Sequence, residues 1–185
     1  MAMNVVLVIT MLVVYLVILG GVLVLNGLGL WRMAKNAGIS QAWSAFLYPT
    51  YIMALLAQRS LFTFTGKQRD LAKWSLWGLF ASVGAGLLCT ILVAVAALND
   101  SGFMMVLMVL CSLVLSVAIL AVTVLHCYCL YYVLKDYCPG NEVLLFVLSI
   151  FFGIVAPIVF LVQMNTVPVS VAGRTPYQQP KYNRV

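Results

Sequence analysis

Charge is the scarcest commodity in this 185-residue chain. Asp, Glu, Lys and Arg together make up 8% of it, against 65% hydrophobic residues. A soluble domain of this size needs a surface roughly 25–35% charged. Such a surface cannot be built here, so lipid has to serve as solvent for most of the exterior. There are four acidic residues, Asp70, Asp100, Asp136 and Glu142, and none lies inside a long apolar run. Intramembrane carboxylates mark pumps and proton relays, and their absence argues against proton-coupled transport.

Other parts are missing too. There is one histidine, His126, and no H-E-x-x-H, so a zinc protease is excluded. The five cysteines, at 89, 111, 127, 129 and 138, include no C-x-x-C and no extramembrane pair, which argues against a disulfide framework or a thiol oxidoreductase. Isolated Ser and Thr residues have no neighbouring base for nucleophilic work. No enzyme activity and no cofactor are expected. The net charge of +6 is not a nucleic-acid signal, because the basic residues cluster at the ends of apolar runs, as in loops facing anionic headgroups.

What is present is hydrophobic length. Four runs, roughly residues 5–31, 74–98, 103–133 and 143–163, each reach the 20 or so residues that a helix needs to cross about 30 Å of hydrocarbon. Helix is the only form open to them, since lipid offers a bare backbone N–H or C=O no partner. Trp31 before Arg32, Lys73 before Trp74 and Trp77, and Tyr128, Tyr131 and Tyr132 before Lys135 mark span ends. The N-terminal run has no basic leader and is too long for a cleaved signal, so it is read as the first span. The expected fold is all-α, a polytopic helical bundle in the cell membrane. Residues 164–185, rich in Pro, Gln and Tyr without apolar periodicity, are expected to form a disordered tail. Asn99 in "NDS" matches a glycosylation sequon but sits too close to the membrane to be read as one.

Residues 40–58, "SQAWSAFLYPTYIMALLAQ", pose the threading question. If they span, five Lys/Arg fall on each face. If they enter and return, or lie in the interface, Arg32, Lys35, Arg59, Lys67, Arg69, Lys73 and Lys135 share one face and Arg174, Lys181 and Arg184 the other. The positive-inside rule prefers seven against three, and Pro49 disfavours a continuous helix. The segment is therefore read as a re-entrant or interfacial broken helix. That puts the N-terminus outside, residues 32–73 in the cytoplasm and the basic tail outside. Trp43, Phe46, Pro49 and Tyr51 are its membrane-interface residues, able to meet anionic lipid or a partner.

"AKNAGISQAWSAFLYP" (34–49), with "GKQRDLAKW" (66–74), resembles a family of small bacterial integral membrane proteins common in clostridia-type Firmicutes, in which Gly-Ile-x-x-Ala-Trp-x-Ala-aromatic-x-x-Pro follows the first span. The last run, "YCPGNEVLLFVLSIFFGIVAPIVF" (137–160), is similar to that family's final span. The family carries no established activity, so the resemblance implies a membrane fold and no chemistry. The chain departs from it in "PTYI" after Pro49 and in "QMN" after the last run, where a basic cluster is usual.

Three groups of residues remain as site candidates. In span two Gly78, Ser82, Gly86 and Thr90 recur every fourth residue, and in span four Ser149 and Gly153 do so; such small-residue stripes let helices approach closely, either within the bundle or across a homo-oligomer or membrane-protein interface. In "LHCYCLYY" (125–132), His126 and Cys129 share a helical face, whereas Cys127 and Cys129 point about 200° apart. That leaves too few ligands for a metal, and interfacial packing is the plainer reading. Asn26, beside Gly27 and Gly29, is the deepest amide. The reading these features favour is an accessory or scaffold membrane protein working through helix packing or lipid contact. The alternative is a small oligomeric transporter or channel, with the broken segment and Asn26 along its path.

Overall fold

A computed structural model describes residues 2–96 and 102–172 of the chain. They form helices α1 (Ala2–Asn36), α2 (Pro49–Thr65), α3 (Leu71–Ala96), α4 (Gly102–Tyr137), α5 (Glu142–Phe151), α6 (Val155–Gln163) and α7 (Val169–Ala172), with a 3₁₀ turn at Ala42–Phe46 and no strand among the described residues. Within α1, α3 and α4, the stretches Thr10–Asn36, Leu71–Val95 and Val106–Tyr137 are long and apolar enough to cross a bilayer. No other helix among the described residues meets both conditions.

The expected fourth span, 143–163, does not form as one helix. It is α5 and α6, separated at residues 152–154. Pro157 is the physical cause. In a continuous helix it would leave the Gly153 carbonyl without its donor and press its ring on that carbonyl. At the third position of α6, after the Ile154 cap, its missing N–H has no cost. The break is closed locally, by Phe152 N–H to the Leu148 carbonyl and Val155 N–H to the Phe152 carbonyl, both 2.8 Å.

The break turns the chain back on itself. Cys138, before α5, hydrogen-bonds Gln163 at the end of α6. The Asn36 amide donates to the Met164 carbonyl at 2.7 Å. Between these points Phe160 packs on Gly29 of α1, where an added Cβ would lie 2.7 Å from the Phe160 Cβ. So α6 runs beside α1 in the same direction, α5 runs against it, and both ends of the pair lie at the Asn36–Tyr137 end of the bundle. At about 1.5 Å per residue each arm is about 15 Å long, half a hydrocarbon thickness.

Residues 37–65 make a second inward loop from the same end. Gly38 (φ +75°) ends α1, with Ile39 N–H returning to the Ala34 carbonyl. The chain then descends along α1 until Phe46 meets Gly27 and Trp31. It turns at Leu47–Tyr48 and climbs back as α2, with Pro49 in its first turn. Near the top of α2, Ser60 Oγ donates to the Tyr132 carbonyl (2.7 Å) and Lys135 lies over the Phe64 ring. The break expected near Pro49 is present, but α2 runs on past residue 58 to Thr65. It is also no surface element, since Ile52, Met53, Leu56, Ala57 and Leu61 are buried.

The core lies entirely in this half of the molecule, where Leu30, Met33, Ile52, Met53, Val133, Leu134 and Phe160 meet. Met11–Leu19 of α1, and most large apolar residues of α3 beyond Gly78 and of α4 before Leu125, are exposed.

The tail is the other correction. Residues 164–172, expected to be disordered and on the face opposite the basic loops, are docked at the basic end. Asp136 accepts from Ser170 N–H (2.7 Å) and Ser170 Oγ (2.6 Å), both buried. Residues 173–185, and the Asn99 sequon, lie outside the described residues.

Two outcomes test this topology. Single cysteines at Gly66 and Thr166 will both react with a membrane-impermeant maleimide from one and the same side of sealed vesicles. Reaction from opposite sides would mean that residues 142–163 cross. Background from Cys138 is low, because burial raises its thiol pKa, a push that the Gln163 hydrogen bond partly opposes. Gly29→Ala will lower the melting temperature in detergent, by the equivalent of about 1–3 kcal/mol for overpacking, whereas Gly21→Ala, with nothing within 4 Å of the new Cβ, will not.

Candidate functional site

The two inward loops meet between Asn26 of α1 and His126 of α4. The first turn of α2 (Pro49, Thr50) and the first turn of α6 (Ala156, Pro157) face each other across a cavity of about 130 Å³, closed by α1 at Asn26 and Leu30 and by α4 at His126 and Leu130. Two helix N-termini therefore point at one small space. Each brings the positive end of its helix dipole. Prolines in both first turns hold the geometry without wasting a donor.

The polar groups here are few: the Asn26 amide, the Thr50 hydroxyl and the His126 imidazole among Val22, Met53 and Phe160. Asn26 Oδ1 is shut off from solvent and has no hydrogen-bond partner among the described residues. An orphan acceptor of this kind costs about 1–3 kcal/mol. Nothing in the packing forces it, since α1 has apolar alternatives on either side. Close approach around Asn26 depends on its two glycine neighbours. A Cβ at Gly27 would stand 2.9 Å from the Phe46 ring, and one at Gly29 would strike the Phe160 backbone at 2.9 Å. "NGLG" is thus the bearing on which both loops seat.

Asn26 and His126, 100 residues apart in sequence, come together. Cys129 does not join them; it is fully buried in the core one turn on. Among the described residues no three His, Cys, Asp or Glu side chains lie close enough to hold a metal ion. Of the interface residues, Trp43 stays exposed, Phe46 packs on α1, Tyr51 is half-buried against the core and Pro49 lines the cavity. Thr50 and Ala156 were missed, and Pro157 was read only as the next step of the stripe through Ser149 and Gly153. Its other signal was legible, a proline fourteen residues into a run read as continuous helix.

The small-residue stripe in α3 is only half used. Gly78 seats Val122 of α4, with a Cβ there 2.8 Å from its Cγ2, and Ser82 is half-buried. Gly86 has nothing within 4 Å of where a Cβ would stand, and Thr90 is exposed with its hydroxyl on the Gly86 carbonyl. The contact with α4 runs instead through Gly78, Ser82, Ala85 and Cys89, whose Sγ lies 3.0 Å from that of Cys111. A strict four-residue step advances about 40° per step around a helix, so it leaves the seam; an alternating step of three and four stays on it. In the last run, Ser149 is buried with its hydroxyl on the Leu145 carbonyl, and Gly153 sits in the break, so these two are not one helical stripe.

No family model, no curated protein and no solved structure matches this chain.

The seating role of Asn26's neighbours can be measured. Gly27→Leu will displace the 3₁₀ turn and open residues 42–48 to limited proteolysis, while Gly20→Leu, which faces open space, will leave the digestion pattern unchanged.

Proposed function

We propose that the chain is a multi-pass protein of the cell membrane that provides a pathway for a small polar solute, working as an oligomer. In this reading α1, α3 and α4 cross the bilayer, and the loops 37–65 and 138–164 enter from the cytoplasmic side and return. The N-terminus is outside. Arg32, Lys35, Lys67, Arg69, Lys73 and Lys135 all belong to the end from which both loops enter, as the positive-inside rule asks of a cytoplasmic face. Membership of the small bacterial membrane-protein family that residues 34–49 resemble is part of the proposal. No catalytic step is assigned.

The observation that carries it is the meeting of two interrupted helices at Asn26, with its unpartnered oxygen. Non-helical backbone at membrane depth persists only where protein buries it or a polar cavity is lined by it. Interrupted helices with their N-termini near the midplane are how many transporters hold substrates. A protein that only packs helices gains nothing from two such breaks and an orphan amide. The pathway through the outer half has no wall within one chain, because α1 stands apart from the α3–α4 pair there. Neighbouring copies supply it.

The scaffold reading keeps one observation of its own: the open small-residue face of α3 at Gly84 and Gly86, free to receive a partner helix.

Proteoliposomes decide between them. Reconstituted protein is expected to pass at least one member of a panel of small neutral solutes and monovalent ions, and Asn26→Leu to slow that flux about tenfold or more. Wild-type vesicles no leakier than empty ones across the panel would remove the pathway reading and leave the scaffold.

A further inference from the structure

A separate feature of the α3–α4 pair points to a ligand. We infer that the groove between these helices holds one acyl chain of an anionic phospholipid, with the lipid phosphate on Arg69.

The groove has a volume of about 550 Å³. Its walls are small side chains on both helices, Gly78 and Ala81 facing Ala118 and Ala121, over a floor of Val122 and Leu125. From Ala118 to Tyr128 it runs about 15 Å, the depth of one leaflet's hydrocarbon. Spread over that length, the volume leaves a cross-section of roughly 40 Å², room for a hydrocarbon chain. One end is blocked from being merely apolar by Arg69 and Tyr128 at its mouth, with Trp74 and Trp77 exposed beside them at headgroup level. The neighbouring carboxylate does not neutralise the arginine: Asp70 is paired with Lys73 at 3.3 Å. A guanidinium grips phosphate through two parallel N–H donors, which a lysine cannot do. The surrounding Lys67 and Lys73 favour a headgroup of net negative charge over a zwitterion. Apolar groove, length, narrowness and cation fit a single occupant, a phospholipid of the leaflet on the basic side.

The test uses the full-length protein in nanodiscs of mixed phosphatidylglycerol and phosphatidylcholine, released into native mass spectrometry. Wild type is expected to retain one phosphatidylglycerol, enriched about tenfold over its bulk fraction. Arg69→Gln will keep a lipid but lose the preference between headgroups. Ala81→Phe, which fills the groove, will lose the lipid altogether, and Ala121→Phe on the opposite wall gives the same result if the first variant folds poorly. Circular dichroism confirms that each variant keeps its helix content. Wild type without retained lipid, groove-filling variants that hold lipid as well as wild type, or release of a dimer whose formation the same substitutions abolish would each overturn the inference; the last would make a second copy the occupant.

Discussion

Everything in this molecule depends on one constraint: in hydrocarbon, a backbone amide or carbonyl that loses its helical partner must find another inside the protein. The chain breaks its helices twice, at Leu47–Tyr48 and at residues 152–154. At both places it meets the demand locally. Tyr48 N–H reaches the Ser44 carbonyl at 2.7 Å, and the 152–155 turn closes on its own carbonyls. Prolines stand where a donor is not needed. Phe46, just before the first break, seats on Gly27 of α1, and Phe160, beyond the second, seats on Gly29. Leu47 and residues 152–154 themselves stay exposed, while Pro157 and Phe160 are buried.

This explains the molecule's asymmetry. The inward loops fill the basic half and turn three loosely associated spans into a packed core. They do not reach the other half, so the spans there have only one another and their surroundings. Ser112, Ser116 and Thr123 of α4 turn their hydroxyls back onto their own helix, to the carbonyls three and four residues earlier.

Sequence reasoning reached the helical class, the three long apolar helices and the interruption at Pro49, because each rests on local chemistry: run length, aromatic and basic flanks, and a missing N–H. It misjudged residues 143–163 by weighing total hydrophobicity above Pro157, although the same argument applied at Pro49. The tail's expected side rested on that count, whereas residues 164–172 pack at the Asn36–Tyr137 end of the bundle. Asn26 and His126 were each visible as odd polar residues in apolar runs. Their meeting was not, because it depends on two loops whose depth is set by packing on Gly27 and Gly29. The small-residue ladder was read at a fixed four-residue step, which drifts around the helix; the true seam needed the partner helix to reveal its three-four alternation.

The central claim is that α5 and α6 form a hairpin whose two ends lie together. Pulsed electron paramagnetic resonance between spin labels at Asn141 and Thr166, in protein reconstituted into lipid, measures it directly. The hairpin predicts a distance distribution centred below about 20 Å, including the label arms. A helix crossing over residues 143–163 would separate the labels by about 30 Å or more, at about 1.5 Å per residue, and a distribution centred there would contradict the account.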